Sequence, residues 1–216
     1  MPAAPPETCN RRHFIGALAL AALAPRAFGA PRRRIVTLLG DSITAGYGLR
    51  AGDALPAQLQ AALGRLGLDV LVRGAGLSGD TTAGGLDRID FSVQPDTEVC
   101  VVELGGNDVL QGLSPQTTRA NLDRILVRLK ARRIKAVLCG LHAPPTLNAG
   151  YARTFNAIYP DLARRHGVGL YPNLLAGVAM TPGLNQRDGL HPNPQGVKII
   201  AARLATVVAR ALSARA

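Results

Sequence analysis

Short apolar runs alternate along this chain with longer amphipathic segments, and this alternation restricts the fold more than any other feature of the sequence. The apolar runs are rich in Val, Leu and Ile, as is typical of buried strands. They are Ile35–Leu39, Val70–Arg73, Val99–Leu104, Ala136–Leu141 and Val168–Tyr171. The amphipathic segments are predicted helices, at Leu55–Leu66, Thr82–Ile89, Pro115–Ala131, Tyr151–Arg165 and Asn193–Ala211.

Strands that are apolar on both faces indicate a parallel sheet with helices covering both sides. Five such strands predict a three-layer α/β/α fold with a five-stranded parallel sheet of the flavodoxin-like, doubly wound type. The sequence contains no internal repeat and no sign of a second domain. Residues 31–216 are therefore expected to form a single domain.

The first 30 residues have the pattern of an export signal. The pair Arg11 and Arg12 precedes an apolar segment, Phe14–Ala24, which is followed by a proline and small residues. This segment is shorter than the ~20 residues that a membrane-spanning helix needs. We therefore expect a removed signal peptide, residues 1–30, of the twin-arginine type, and a periplasmic or secreted protein. The alternative is a frayed N-terminal helix.

The formal net charge is +11, yet aromatic residues make up 4% of the chain and Trp is absent. Proteins that bind nucleic acids often combine clustered positive charge with stacking aromatic side chains. No groove-reading motif is present here, so no nucleic-acid partner is expected. The scattered arginines instead favour a solvated surface that could make transient contact with anionic lipid.

Cys100 and Cys139 both lie in apolar, strand-like runs, where a free cysteine commonly acts as a small core residue. A disulfide between them remains open as the alternative, because the sequence does not give their separation. Cys and His residues show no metal-ligand spacing, so neither a metal nor another cofactor is expected.

Polar and glycine-rich segments follow three of the predicted strands, and a fourth precedes the last helix. They are "GDSITAG", "GAGLSGDTT", "ELGGNDVL" and "RDGLHPNPQG". In open parallel sheets, ligands bind beyond the carboxyl ends of the strands, near the switch point of the strand order. Ser42 follows the carboxyl end of the first strand directly, which is where a reacting group is expected.

The residue types in these segments suit nucleophilic catalysis by serine. A serine hydroxyl needs a base to accept its proton, usually the imidazole of a histidine. A carboxylate usually holds that imidazole in one tautomer. Asp188 and His191 are three residues apart, close enough for this contact on one tight turn. The sequence therefore predicts a triad of Ser42, His191 and Asp188.

A serine hydrolase also needs hydrogen-bond donors for the oxyanion of its tetrahedral intermediate. The candidate donors are the backbone N–H groups of Ser42 and Gly79 and the side-chain amide of Asn107. A glycine at position 79 allows close approach without a Cβ atom, and an amide donates without adding charge.

Together, the four segments resemble blocks I, II, III and V of the GDSL, or SGNH, hydrolases, over Leu38 to about Gly196. The motif sequences most resemble those of the bacterial periplasmic subgroup of acyl-CoA thioesterases, arylesterases and lysophospholipases. The resemblance implies an SGNH hydrolase domain and matches Ser42, Gly79 and Asn107 to the family's oxyanion donors. Thr44 replaces the second glycine of a G-x-S-x-G elbow, so a more open serine turn is expected. Ile43 replaces the leucine of the family name.

Each of these residues also has an ordinary structural interpretation. Ser42 alone would suit a helix N-cap. The neighbouring carboxylates are expected to fix their loops by accepting hydrogen bonds from backbone N–H groups; they are Asp41, Asp80 and Asp108. Three histidines without a partner motif are expected to be incidental: His13, His142 and His166. Three aromatic residues spaced four apart are expected to pack in the core: Tyr151, Phe155 and Tyr159.

The leading functional hypothesis is a serine esterase or thioesterase acting on a small-molecule or lipid acyl ester or thioester. The proline-containing loop Leu141–Tyr151 is expected to border the acyl channel as a fixed wall. The first alternative is a carbohydrate deacetylase or an acyltransferase on the same scaffold. The second is a non-enzymatic flavodoxin-like binding module, although the first loop lacks the P-loop pattern.

Overall fold

The architecture comes from a computed structural model, which describes residues 1–3, 33–144 and 146–214. Most of the predicted signal peptide, with Arg11, Arg12 and His13, therefore lies outside the described residues. The elements described below belong to one compact unit, Arg33–Ala216.

Five parallel strands form one sheet in the order β2-β1-β3-β4-β5. They are β1 (Arg34–Gly40), β2 (Val70–Gly76), β3 (Val99–Glu103), β4 (Lys135–Cys139) and β5 (Gly169–Tyr171). This order is that of the flavodoxin-like sheet, and it confirms the predicted class. Strand β3 is buried at every position, as the continuous apolar run predicts.

Seven α-helices connect and cover these strands within the described part of the chain. They are α1 (Ser42–Ala45), α2 (Leu55–Arg65), α3 (Thr82–Ser92), α4 (Gly106–Leu110), α5 (Pro115–Ala131), α6 (Ala149–His166) and α7 (Pro194–Ser213). A single 3₁₀ turn, Ala51–Asp53, precedes α2. Helices α2 and α7 pack together on one face of the sheet, and α3, α5 and α6 pack on the other.

Two of the helices show how the sequence sets the helix boundaries. Ser114 caps α5 by accepting a hydrogen bond from the backbone N–H of Thr117 at 3.1 Å, and Pro115 occupies the first turn. Asn193 caps α7 in the same way, accepting from Gln195 and Gly196 at 3.0 Å. The predicted start of α5 is confirmed, and α7 begins one residue after the predicted position.

Strand β2 runs three residues beyond its predicted end. Its glycine-rich continuation pairs with β1 through Leu38↔Gly74 and Gly40↔Gly76. A Cβ atom at Gly76 would lie 2.2 Å from the backbone nitrogen of Ala45 in α1. These glycines therefore belong to the sheet and let α1 lie directly against its edge strand.

Cys100 and Cys139 are both free and fully buried in the core. Burial raises the pKa of the Cys100 thiol to about 12 and that of Cys139 well above its ordinary value. They therefore serve as small core residues, and the disulfide alternative does not apply to this structure.

Across the described residues, none of the helices combines the length and the apolar character that crossing a membrane would require.

Candidate active site

Ser42 lies at the first position of α1, directly beyond the carboxyl end of β1. The N-cap of this helix is Asp41, whose Oδ1 accepts a hydrogen bond from the backbone N–H of Ile43 at 3.0 Å. The capping role considered for Ser42 is therefore filled by its neighbour. The Ser42 hydroxyl is left to contact His191, whose Nε2 lies 2.8 Å from Ser42 Oγ.

His191 and Asp188 meet on one tight turn ahead of α7, as their spacing predicts. His191 Nδ1 lies 2.6 Å from Asp188 Oδ2, and Asp188 Oδ1 accepts from the backbone N–H groups of Leu190 and His191 at 3.0 Å. The hydrogen bonds from His191 lower the pKa of Asp188 to about 2. Asp188 is therefore ionised at neutral pH, and the chain Asp188–His191–Ser42 is continuous.

Gln186 ties the histidine turn to the serine loop. Its backbone N–H donates to the carbonyl of His191 at 2.8 Å, and its Nε2 donates to the carbonyls of Tyr47 and Pro192 at 2.8 and 3.1 Å. Residues 149 positions apart in sequence, Ser42 and His191, are thereby held against each other.

Tyr47 packs against the imidazole of His191, with ring centroids 4.8 Å apart and a tilt of 37°. An aromatic ring at this distance restricts the orientation of the imidazole. The sequence did not predict this contact of Tyr47 with His191. The one signal for it in the sequence is that Tyr47 lies five residues after Ser42, in the same loop region.

Asn107 follows β3 at the start of α4, next to the serine loop. Its Nδ2 donates to the carbonyl of Asp80 at 2.8 Å and lies 3.3 Å from Asp41 Oδ2. The preceding Gly105 has φ +117°, and a Cβ atom there would lie 2.2 Å from the Tyr159 hydroxyl. Tyr159 in turn donates to the carbonyl of Leu104 at 2.9 Å, so the buried aromatic core of α6 supports the asparagine loop.

Gly79 follows β2, on the other side of β1 from Asn107. Its φ is +83°, and a Cβ atom there would meet no protein atom within 4 Å. The positive φ therefore requires a glycine here, in addition to the close approach of substrate expected from the sequence.

The remaining carboxylates hold the loops in place. Asp108 Oδ2 accepts from the backbone N–H of Thr82 at 2.9 Å, as expected. Asp80 differs from the expectation, because its partner is the Arg88 guanidinium at 2.7 Å. Arg88 also donates to the carbonyl of Gly40 at 2.8 Å, so this ion pair contacts and stabilises the end of β1.

Ser42, Gly79, Asn107 and His191 line one cavity of about 340 Å³. The rest of its wall is mostly apolar and includes Ile43, Val109, Leu110, Leu141, Pro144 and Leu175, and the two acids Asp41 and Glu103 also line it. The loop expected to border an acyl channel therefore does contribute to the wall. Such a site places a hydroxyl, an imidazole and neutral hydrogen-bond donors beside a space for an apolar chain.

Two of the histidines expected to be incidental have defined places. His142 lines the same cavity. His166 lies 2.7 Å from Asp123 and joins α6 to α5 away from the cavity. Of the three aromatic residues on α6, Phe155 and Tyr159 are buried, as expected for core packing, and Tyr151 is partly buried and donates to the carbonyl of Leu113 at 2.9 Å.

Comparison with known proteins places this site in a family. Residues 38–199 match the GDSL-like Lipase/Acylhydrolase family. Esterase TesA of Pseudomonas aeruginosa is 35% identical over 178 residues, which cover 82% of this chain and 87% of that protein. The Escherichia coli K12 protein named thioesterase 1/protease 1/lysophospholipase L1 is 37% identical over 175 residues, covering 81% and 83%.

The solved structures agree with the sequence relatives. AlinE4, described as an SGNH-hydrolase family esterase, is 46% identical and superimposes with a TM-score of 0.71, covering 86% of this chain and 100% of that one. The resemblance predicted from the four sequence blocks is thereby confirmed. This chain belongs to the GDSL-like lipase/acylhydrolase family.

Proposed function

We propose that the protein is a serine esterase or thioesterase that uses Ser42, His191 and Asp188 as its catalytic triad. The observation that carries this proposal is the unbroken chain of contacts from Asp188 to His191 at 2.6 Å and from His191 to Ser42 at 2.8 Å. This chain opens into an apolar cavity of the size expected for an acyl group.

Acylation begins when Ser42 Oγ attacks the carbonyl carbon of the substrate and His191 Nε2 takes the hydroxyl proton. Asp188 stabilises the imidazolium that forms. The oxyanion of the tetrahedral intermediate is held by the backbone N–H groups of Ser42 and Gly79 and by Asn107 Nδ2, one of whose two N–H groups exchanges its long 3.3 Å contact with Asp41 for the oxyanion. His191 then protonates the leaving alcohol or thiol, which leaves an acyl-enzyme on Ser42. Water, activated by the same imidazole, hydrolyses this ester.

The substrate class is supported by the cavity and by the relatives. An apolar wall with neutral donors suits an acyl chain better than a polysaccharide, which favours hydrolysis of acyl esters over carbohydrate deacetylation. The matched relatives carry the names esterase and thioesterase/lysophospholipase. We therefore propose acyl esters and thioesters of short to medium chain length as substrates.

The direct test compares p-nitrophenyl esters from acetyl to palmitoyl with acyl-CoA of the same lengths. The proposal expects turnover that peaks at short to medium chains. Acetate release from acetylated polysaccharide, with no turnover of any simple ester, would favour the deacetylase instead. Transfer to an added alcohol in excess of hydrolysis would favour the acyltransferase.

Replacing Asn107 with Ala is expected to lower kcat by about 10²- to 10³-fold, with a smaller change in KM, because its amide donates to the oxyanion mainly in the transition state. Steady-state kinetics with p-nitrophenyl butyrate measure both constants. A loss confined to KM would contradict the proposed role. Asn121→Ala, on α5, is the matched control, since its Nδ2 donates to Thr82 and not to the serine loop.

We also propose that residues 1–30 direct export through a twin-arginine route, which rests on Arg11, Arg12 and the short apolar segment after them. Changing both arginines to Lys is expected to retain the protein in the cytoplasm, while the charge of the segment stays the same. Cell fractionation followed by an esterase assay measures this. Unchanged export of the double variant would contradict the twin-arginine route.

Transient contact with a lipid surface is a further part of this proposal. Tyr47, Leu110 and Leu190 line the cavity and are 55%, 62% and 48% exposed. Exposed apolar side chains at the mouth of an acyl site suit contact with aggregated lipid substrate.

A further inference from the structure

Two carboxyl groups lie buried together behind the serine loop. Glu103, the last residue of β3, is completely buried, and Asp41 is 3% exposed. Neither appears among the ion pairs that the described residues form with Lys or Arg. Two buried negative charges without a cation would be strongly unfavourable, so the pair requires an explanation.

The contacts of Glu103 fit a neutral acid better than a carboxylate. Its Oε2 accepts from the Thr44 hydroxyl at 2.8 Å and lies 3.3 Å from the backbone nitrogen of Asp41. Its Oε1 receives no hydrogen bond from any residue that the structure describes, although it is buried. An ionised oxygen in this position would lack the donors that a buried carboxylate needs.

The contacts of Asp41 fit the ionised partner. Its Oδ1 accepts from the backbone N–H of Ile43 at 3.0 Å, and its Oδ2 lies 3.3 Å from Asn107 Nδ2. Its backbone N–H lies 3.3 Å from Glu103 Oε2, so the two acids are adjacent. Two adjacent buried carboxyl groups without a cation do not both ionise, so one of them carries a proton.

The surroundings of the pair assign the proton to Glu103. Burial raises the pKa of Glu103 well above its ordinary value, and the charge of Asp41 raises it further. Burial raises the pKa of Asp41 to about 6, against the lowering effect of the hydrogen bond from Ile43. The proton therefore stays on the more deeply buried acid.

The other titratable groups near the pair do not supply a fixed cation. His191 lowers and Asp80 raises the pKa of Asp41 through their charges. Burial raises the pKa of Cys139 and of Tyr159, so both face the pair as neutral groups. Arg88 reaches the nearby carbonyl of Gly40, but its charge is paired with Asp80.

We propose that Glu103 is a positioning residue, held as a neutral carboxylic acid whose Oε2 accepts from the Thr44 hydroxyl and the backbone N–H of Asp41, so that Asp41 remains the single anion beside Asn107 and at the start of the serine helix. This inference rests on the proposed function, in which Asn107 donates a hydrogen bond to the oxyanion. With Glu103 neutral, one negative charge rather than two lies behind the place where the oxyanion forms.

Two variants of Glu103 separate positioning from packing. Glu103→Gln keeps the shape and a neutral oxygen that can accept the same two hydrogen bonds, whereas Glu103→Leu has no acceptor. We expect Glu103→Leu to lower kcat by about 10- to 100-fold, with little change in KM, because the Thr44 hydroxyl and the Asp41 N–H lose their buried acceptor. Glu103→Gln is expected to recover most of that kcat. Equal losses in both variants would overturn the proposal.

Infrared spectroscopy gives a readout that does not depend on activity. The folded protein at neutral pH should show the carbonyl stretch of a protonated carboxylic acid, and Glu103→Gln should lack it. Ser42→Ala should keep the band whether or not Ser42 is the nucleophile.

Absence of the band in the Ser42→Ala and unmodified proteins, or its persistence in Glu103→Gln, would overturn the assignment of the proton to Glu103. Retained activity in Ser42→Ala, with the band present, would instead reject the proposed function alone.

Stability provides a third measurement, which serves if Glu103→Leu fails to fold. Because the folded pKa of Glu103 is raised, the stability that the neutral acid contributes is present below pH 4.5 and declines as pH rises towards the folded pKa. The melting temperature of Glu103→Gln relative to the unmodified protein should therefore increase with pH. A difference that is independent of pH would contradict a neutral Glu103.

Discussion

Replacing Ser42 with Ala is expected to lower kcat by about 10⁶-fold, the scale measured for loss of the nucleophile in a serine protease. The substitution removes Oγ, which lies 2.8 Å from His191 Nε2, and leaves the imidazole with no hydroxyl to activate. The backbone N–H of residue 42 and the rest of the cavity remain. Substrate should therefore still bind, so the loss should be in kcat and not in KM.

Covalent labelling separates this outcome from general damage. A fluorophosphonate should add one mass increment to the unmodified protein, on Ser42, and none to Ser42→Ala. Ser213→Ala is a matched control, because this serine lies at the end of α7 and donates only to the carbonyl of Ala209. Hydrolysis by Ser42→Ala at more than a few per cent of the normal rate would reject the acyl-enzyme mechanism.

Replacing Asp188 with Asn is expected to lower kcat by about 10⁴-fold, as for the corresponding change in a serine protease triad. The amide oxygen can still accept from the backbone N–H groups of Leu190 and His191, so the turn should keep its shape. The amide N–H₂, however, would face His191 Nδ1 as a donor. The imidazole would then carry its proton on Nε2, where it could not accept one from Ser42.

The pH dependence provides a second readout for Asp188. Because its folded pKa is lowered to about 2, the stability from this carboxylate is present above pH 3.8 and is lost as pH falls towards 2. Asp188→Asn should remove the corresponding decrease in melting temperature at acid pH. Asp69→Asn is the matched control, since Asp69 forms a surface ion pair with Arg33 at 3.0 Å. If Asp188→Asn kept kcat within tenfold, Asp188 would not be the orienting group.

The regular elements could be predicted because their patterns are local. Each predicted strand and helix is present, with boundaries that differ by no more than three residues. The elements that were missed are α1, α4 and the 3₁₀ turn, which span three to five residues each and are too short to show a helical period. The extension of β2 was missed because Gly74 and Gly76 are typical of loops, and only pairing with β1 makes them strand residues.

The candidate site was only partly readable from the sequence. Ser42, His191 and Asp188 stand out because a reactive residue type occurs at the expected end of an element. Tyr47 and Glu103 did not stand out, since an aromatic residue in a loop and an acid at the end of a strand have many ordinary roles. Their places depend on which side chains face them, against His191 in one case and Asp41 in the other.

The sequence by itself determined the layered fold, the parallel sheet and the loops that carry polar residues, because hydrophobic periodicity and turn residues act over a few neighbouring positions. The tertiary structure alone decided which groups touch across long separations, such as Ser42 with His191, and which carboxyls are buried without a cation, such as Asp41 and Glu103. Contact distances and desolvation depend on the packing of all the layers together, so they are properties of the folded chain.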